Sequence, residues 1–271
     1  MKKILSVMLV VALSLSCVLM LSACGKNSQV AGTYEMVSIS GTVTMNGQTV
    51  TLSEGLYDYY RIILNDDGTR TPLYDRTRYE IKYGNDAKVG PDGRFYIGTQ
   101  SSKRRGVGDA IDGKLYSIDK TGNVKILLDG LILSNGFDWS IDEKRFYHTD
   151  SDTKIIKEYS FNKESGDISF TGRSVEISGV DGITVDRNDF LYVACWGKGH
   201  IAVVDTADMQ VKRYIAVPAK IPASCGFAGR DMEYFVVVSA TFGADLEKDK
   251  NAGCTFICDA AAKGRKPYLF G

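Results

Sequence analysis

The stretch Asn85-Asp86-Ala87-Lys88-Val89-Gly90-Pro91-Asp92-Gly93-Arg94-Phe95-Tyr96-Ile97-Gly98 decides the fold. Its Gly-Pro-Asp-Gly centre is turn chemistry, since proline presets φ early in a turn and glycine tolerates the left-handed position that closes it. An aromatic, apolar run follows, so the unit reads as a turn feeding a strand. Working outward, the unit recurs as Ile141-Asp142-Glu143-Lys144-Arg145-Phe146-Tyr147-His148-Thr149, as Asp186-Arg187-Asn188-Asp189-Phe190-Leu191-Tyr192-Val193-Ala194, and as Gly229-Arg230-Asp231-Met232-Glu233-Tyr234-Phe235-Val236-Val237. Aligned on Phe95, Phe146, Leu191 and Tyr234, the copies are 51, 45 and 43 residues apart. Further short strands are expected at 113–118, 124–128, 155–161, 168–177, 200–204 and 211–217, each bounded by Gly, Asp or Asn. About four strands per period of 40 to 50 residues is the signature of β-propeller blades around a central channel. The expected fold is all-β.

In a propeller, one repeat position in every blade lies at one height around the axis. Asn85 stands ten residues before Phe95, Asn135 eleven before Phe146, Asp181 ten before Leu191 and Ser224 ten before Tyr234. All four are short and oxygen-bearing. Taken singly, Asn135-Gly136 and Asp181-Gly182 also fit ordinary tight-turn dipeptides. Taken together, they predict a ring of amide and carboxylate oxygens suited to a hard divalent cation, calcium first, with magnesium, manganese or zinc as alternatives.

Several of these segments carry a resemblance. Residues 85–99, Ser134-Asn135-Gly136-Phe137-Asp138-Trp139-Ser140, Val180-Asp181-Gly182-Ile183-Thr184-Val185-Asp186, residues 191–196, Ala223-Ser224-Cys225-Gly226-Phe227 and Asn251-Ala252-Gly253 resemble the SMP-30/gluconolactonase/regucalcin-like family over about residues 70–271. The resemblance implies a propeller of the six-bladed type, a divalent metal in its channel, and hydrolysis of sugar lactones. It implies Asn135 and Asp181 as metal ligands, with Asn85 facing metal or substrate. In the mechanism so implied, the metal polarises the lactone carbonyl and Asp181, the only carboxylate of the four aligned positions, takes a proton. The chain departs from the family at two points. The family's first metal ligand is a Glu of an N-terminal blade; its nearest counterpart, Glu54, lies only 31 residues before Asn85, less than one repeat. The family's Arg two residues before the Asn is Tyr83 here. Four repeats fall short of six blades, so the propeller is expected to be incomplete, with open strand edges through which copies could self-associate. The rival class is a non-catalytic binding lipoprotein with a decayed propeller.

The N-terminal residues read as an address. Lys2 and Lys3 precede an apolar run that ends in Leu21-Ser22-Ala23-Cys24-Gly25, a secretory layout. The small residues followed at once by cysteine resemble the bacterial lipoprotein signal. That resemblance implies a signal peptide at 1–23, lipidation of Cys24, and a protein held by its lipid on the extracytoplasmic face of a bacterial membrane. Residues 24–69 read as a β-rich segment, a small meander with a turn at Asn46-Gly47, joined to a propeller at 70–271.

Composition bounds the rest. With 271 residues, 44% of them apolar and 24% charged, the chain is globular rather than disordered or multi-span. Lys+Arg and Asp+Glu both number 33, so no net field recruits nucleic acid, and Lys103-Arg104-Arg105 and Gly264-Arg265-Lys266 read as solvated loops. The partners implied are a small lactone and, through Cys24, the membrane. Cys195 reads as a small buried hydrophobe, and Cys254 and Cys258 are spaced too far along a strand to bridge without a bend. There is no Gly-x-Ser-x-Gly elbow. The two histidines, His148 and His200, sit in strand patterns and read as structural, and Trp139 and Trp196 as core.

Overall fold

The computed structural model describes residues 80–271 and, upstream of them, the backbone of five strands. The signal segment, Cys24 and Glu54 lie outside the described residues. The upstream strands are β1 (Gly32–Glu35), β2 (Gly41–Met45), β3 (Gln48–Leu52), β4 (Arg61–Leu64) and β5 (Arg70–Pro72). These strands form a hairpin, β2–β3, and a three-stranded antiparallel sheet in the order β1-β4-β5, an order that is not a simple meander. Met45 pairs with Gln48 in that hairpin, and the expected turn at Asn46-Gly47 lies outside the described residues.

From residue 84 onward the chain forms four antiparallel sheets, one per sequence repeat. The first comprises β6 (Gly84–Val89), β7 (Phe95–Thr99), β8 (Gly113–Ile118) and β9 (Val124–Leu131). The second comprises β10 (Ser134–Trp139), β11 (Arg145–Asp150), β12 (Ile155–Asn162) and β13 (Asp167–Glu176). The third comprises β14 (Val180–Val185), β15 (Phe190–Cys195), β16 (His200–Asp205) and β17 (Gln210–Ala216). The last has three strands among the described residues, β18 (Pro222–Ala228), β19 (Tyr234–Ser239) and β20 (Thr255–Cys258).

The four anchor residues of the repeat all fall on second strands, and the turns before them match atom for atom. Gly93, Glu143, Asp189 and Met232 each donate a backbone N–H to the carbonyl three residues back, on Gly90, Ser140, Asp186 and Gly229. All four have positive φ, between 56 and 73°. Only the first is glycine; the others accept a conformation that costs a side chain about 1 kcal/mol, which shows that the turn is imposed by the sheet it joins.

Apolar side chains pack between neighbouring blades rather than in one central core. Tyr96 and Leu115 meet Phe137, Trp139 and Phe146 between the first two sheets. Tyr147 and Ile156 meet Val180, Val185 and Leu191 between the second and third. Tyr192 and Ile201 meet Phe227 and Phe235 between the third and fourth. Side chains as fully covered as Trp139, Tyr96 and Phe235 contribute about 1.5 to 3 kcal/mol each. Among the described residues no core cluster covers the outer side of the fourth sheet, where Tyr234 and Ile257 are 51% and 69% exposed.

The C-terminal residues run as a strap across the ends of all four blades. Arg187 N donates to the Lys263 carbonyl at 2.9 Å, Gly264 N to Met232 at 2.9 Å, and Gly271 N to Gly93 at 3.2 Å. Arg265 pairs with Asp138 between them. Tyr268 meets Trp139 edge-on at 6.4 Å, and Tyr268 and Phe270 cover the core of the first blade. These partners lie at or near the turns joining first and second strands, so the strap closes that end of the channel. The opposite end, where β6, β10, β14 and β18 begin, is the mouth.

Candidate active site at the channel mouth

All four inner strands lose register at one place. The irregularities fall between Gly84 and Ala87, Asn135 and Phe137, Val180 and Ile183, and Pro222 and Ser224. An extra residue in a strand re-aims its side chain. Asn85, Asn135, Asp181 and Ser224 all sit at these bulges, so the predicted repeat position is also the one the backbone singles out.

Asn135-Gly136 and Asp181-Gly182 lie within β10 and β14, so the reading of these pairs as turns gives way. Their glycines serve packing. A Cβ on Gly136 would stand 2.1 Å from the Asp181 carbonyl oxygen, and one on Gly182 would stand 2.5 Å from Ser224 Oγ. Only a hydrogen at these positions lets the inner strands of adjacent blades approach closely enough for the ring residues to touch.

They do touch. Asn85 Nδ2 donates to the Ser134 carbonyl of the next blade at 3.0 Å, and Asn85 Oδ1 accepts from Gln100 Nε2 at 3.2 Å. Asn135 donates to the Asp181 carboxyl across the second blade boundary and keeps its own Oδ1 on Gly136 N–H at 3.1 Å. Asp181 keeps part of its surface open to the channel while protein surrounds it. Burial pushes its carboxyl up to about 8, the Asp86 carboxyl pushes the same way, and the Asn135 hydrogen bond only partly offsets them. Ser224 completes the ring position on β18, against Gly182.

Asp86 is the site residue that the sequence reading missed. It occupies, in the first blade, the position that Gly136 and Gly182 hold in the next two, and the side chain that those glycines lack is here a carboxyl. Burial raises its pKa; Lys88 and the Ala87 N–H oppose that rise, and Asp138 adds to it. The signal that could have found it was the break in the glycine pattern.

Three residues below the mouth the same strands build a second layer. Lys88 Nζ donates to Asp138 Oδ2 at 2.9 Å and to the Ile183 carbonyl at 2.9 Å, spanning three blades. Asp138 also accepts from Val185 N at 3.0 Å and Trp139 N at 2.8 Å, and pairs with Arg265 of the strap. Burial works to raise the Asp138 carboxyl, but Arg265 and Lys88 outweigh it and hold the group below the usual range. This layer is the channel floor.

The other sequence expectations fall into place around this centre. His148 is buried, its Nε2 2.8 Å from Ser134 Oγ, and burial together with Lys157 lowers its pKa to about 3, so it is a neutral structural group. Trp139 is core; Trp196 is half-buried at the mouth, 6.4 Å from the Phe242 ring. Cys195, Cys225, Cys254 and Cys258 are free thiols.

Among the described residues no cluster of three or more His, Cys, Asp or Glu forms. The donor set at the mouth nonetheless suits a hard cation. It offers two carboxyls, Asp86 and Asp181, both raised first by burial, and among the described residues no cation lowers Asp181. Amide oxygens complete it, since turning the Asn135 amide over exchanges an N–H for an oxygen.

Four blades with a polar, carboxylate-bearing mouth define a propeller with a candidate site at the mouth. The SMP-30/Gluconolactonase/LRE-like region model matches residues 15–241, and the chain belongs to that family. The match takes in the β-rich segment upstream of residue 70. A Bacillus subtilis protein, YvrE, whose name proposes sugar lactone lactonase activity, is 31% identical over 229 residues, 82% of this chain and 76% of that one. Zebrafish regucalcin is 33% identical over 195 residues, which are 69% of this chain and 65% of the zebrafish protein. The chain thus spans about two thirds of the length of the regucalcin it matches. In fold, it superposes on a calcium-binding regucalcin from Agrobacterium tumefaciens with a TM-score of 0.67 at 22% identity, covering 83% of each chain.

Proposed function

We propose that the protein hydrolyses a sugar lactone at the channel mouth with the help of a divalent cation. The observation that carries this reading is the convergence of Asn85, Asp86, Asn135 and Asp181, from three blades, on one partly open polar mouth. The family and the name of the Bacillus relative support the same chemistry.

Asp86, Asp181, Asn135 and Asn85 are the residues that would hold the cation, calcium first, with zinc, manganese or magnesium as alternatives. When bound it supplies Lewis-acid polarisation of the lactone carbonyl and acidifies water. The chain's own residues do the rest. Asp181, whose carboxyl lies close to neutral pH, accepts the proton of the water whose oxygen adds to the carbonyl carbon. As the ring C–O bond breaks, the same proton passes to the departing ring oxygen, leaving an open hydroxy acid. Asn135 holds Asp181 through its amide. Asn85, fixed between Gln100 and the Ser134 carbonyl, orients the substrate. The floor of Lys88, Asp138 and Arg265 keeps water from entering behind the substrate.

The test is hydrolysis of glucono-1,5-lactone by the full chain with calcium, zinc, manganese or magnesium, alongside Asp181→Ala and Asn135→Ala. Loss of activity in both variants supports the assignment; full activity in both removes it. A folded protein inert with every cation favours the rival class, a tethered binding module. The pattern ending at Cys24 supports, as part of this proposal, lipid anchoring on the outer face of a membrane, which labelling with a radioactive fatty acid and its loss in Cys24→Ser would test.

A further inference from the structure

Two aromatic side chains stand at the rim of the mouth, outside the ring of Asn and Asp groups. Trp196 follows the last residue of β15, and Phe242 lies in the loop that joins β19 to β20. The indole is half-buried and the Phe242 ring is 83% exposed; their centres are 6.4 Å apart, with the planes inclined at 51°. Trp139, by contrast, is fully buried between the first two blades. An open phenylalanine beside a second aromatic ring, at the edge of a polar site, has the character of a ligand contact rather than of a fold contact.

Both rings are carried by backbone that is tied to the site. Trp196 N donates to the Gly179 carbonyl at 2.6 Å, and Cys195, the residue before it, pairs with Val180, the residue before Asp181. Gly179 has a φ of +78°, and a Cβ there would run into the Trp196 carbonyl oxygen, so only glycine lets the two segments meet. Trp196 thus leaves its sheet beside the bulge that holds Asp181. The loop bearing Phe242 is fastened at the same end of the fourth blade. Ala240 N donates to the Ile221 carbonyl at 2.9 Å, Asn251 Nδ2 to the Pro218 carbonyl at 2.8 Å, and Lys220 N to Asp249 Oδ2 at 2.7 Å, all on the segment that enters β18. Ser239 Oγ closes the loop by donating to the Asn251 and Cys254 carbonyls at 3.1 and 2.9 Å. A Cβ on Gly243 would make ordinary contact with Trp196 Cζ2 at 3.8 Å, so the loop lies against the indole. Backbone held in this way leaves a ligand little freedom to remove when it meets the rings.

We infer that Trp196 and Phe242 form an aromatic wall at the rim between the third and fourth blades, which binds the substrate by the C–H face of its sugar ring. A pyranose carries its hydroxyls around its edge and C–H groups on its faces, so an aromatic ring can cover the face while the edge hydroxyls are left to the amides and carboxyls of the mouth. The mouth supplies the few polar groups and the wall the apolar area, the combination that small-molecule sites show. The ring face away from the carbonyl is unchanged as the lactone is attacked, so the wall holds ground state and transition state alike: it lowers KM and leaves kcat. This inference rests on the lactonase reading, and the experiment separates the two.

Steady-state kinetics with glucono-1,5-lactone are compared for the full chain and for Phe242→Ala, Phe242→Leu and Phe242→Tyr. Phe242 is exposed, so each variant should melt within about 2 °C of wild type. The expected result for Phe242→Ala is a KM raised about three- to tenfold with kcat within about twofold; Tyr, which keeps a flat ring, restores KM, and Leu does not. Binding is read apart from turnover by tryptophan fluorescence during titration with methyl β-D-glucopyranoside, a closed pyranose with no carbonyl to hydrolyse. Trp139 is buried, so the sugar should change the emission of Trp196 alone; the change should vanish in Trp196→Phe and need about three- to tenfold more sugar in Phe242→Ala. A KM unchanged in Phe242→Ala, full recovery by Leu, or emission indifferent to the sugar overturns the inference while leaving the lactonase reading intact. If no lactone is hydrolysed, the lactonase reading fails; a sugar response that Phe242→Ala weakens still supports the wall, whereas a response equal in both proteins refutes it.

Discussion

Replacing Asp181 by Asn should make the cation-free protein more stable and deprive it of its response to calcium. The folded carboxyl rises from 3.8 to about 8 because it is buried and faces Asp86. Below pH 3.8 both folded and unfolded chains hold the proton and nothing is lost. Between 3.8 and about 8 the unfolded chain releases the proton while the folded chain keeps it, so stability falls as pH rises, and above about 8 the cost is constant. At 1.36 kcal/mol per unit the ceiling is about 6 kcal/mol, and the channel water that reaches Asp181 reduces this to about 2 to 3 kcal/mol. Asn cannot ionise, so the advantage of Asp181→Asn is absent at pH 4 and full at pH 9, corresponding to a rise in Tm of about 5 to 10 °C. Calcium at about a hundred times its Kd should add about 2.7 kcal/mol to the wild-type protein and little to the variant. Thermal melts of both proteins at pH 4, 7 and 9, with calcium and with chelator, test this. A variant no more stable than wild type at pH 9 in chelator, or an equal calcium response in the two, would refute the picture of two confined carboxyls awaiting a cation.

Gly136→Ala should force the second and third blades apart, because its Cβ meets backbone 2.1 Å away rather than a movable side chain; a loss of about 3 kcal/mol in urea unfolding is expected, with the proposed lactonase activity lost at temperatures where the variant is still folded. Asp138→Ala leaves Lys88 and Arg265 facing each other in the floor without an acid and should cost about 3 to 5 kcal/mol by the same measurement, whereas Asp138→Ala combined with Arg265→Met should recover part of it. His148, neutral when folded because burial and Lys157 lower its pKa to about 3, adds no pH dependence above 6.5. From 6.5 down to about 3 the unfolded chain takes a proton that the folded chain refuses, so stability falls with pH by up to about 1.4 kcal/mol per unit. His148→Gln should flatten that part of a pH series of urea midpoints.

The propeller was legible because a repeat is a one-dimensional property. Turns at Gly90, Ser140, Asp186 and Gly229 have one hydrogen-bond pattern, and their spacing alone located the second strands. The ring of Asn85, Asn135, Asp181 and Ser224 was legible for the same reason, since a fixed offset from a fixed strand becomes a fixed height on the axis. The strap was not. Arg265 reaches Asp138 across 127 residues, and nothing in Gly264-Arg265-Lys266 distinguishes a buried partner from a solvated loop. Asp86 was hidden differently: it lies one residue off the aligned position of Asn85, and the register break between Gly84 and Ala87 sets it beside Asn85 at the bulge. Lys103-Arg104-Arg105 was rightly read as exposed, but its hydrogen bonds to Asp112, Ser101 and Ala110 depend on chain closure that spacing does not reveal.

The two layers of the channel argue together for a ligand. In the floor one carboxylate, Asp138, receives two cations and two backbone N–H groups, the arrangement expected where burial of charge must be offset. One layer above, two carboxyls share the mouth, and among the described residues the Asn135 amide is what lowers Asp181. Lys88 reaches down to Asp138 and to the Ile183 carbonyl and still lowers Asp86, whereas it is not among the groups that lower Asp181. Strain of this kind persists where something outside the chain relieves it, and a divalent cation is the simplest species that satisfies two carboxyls and neighbouring amide oxygens at once.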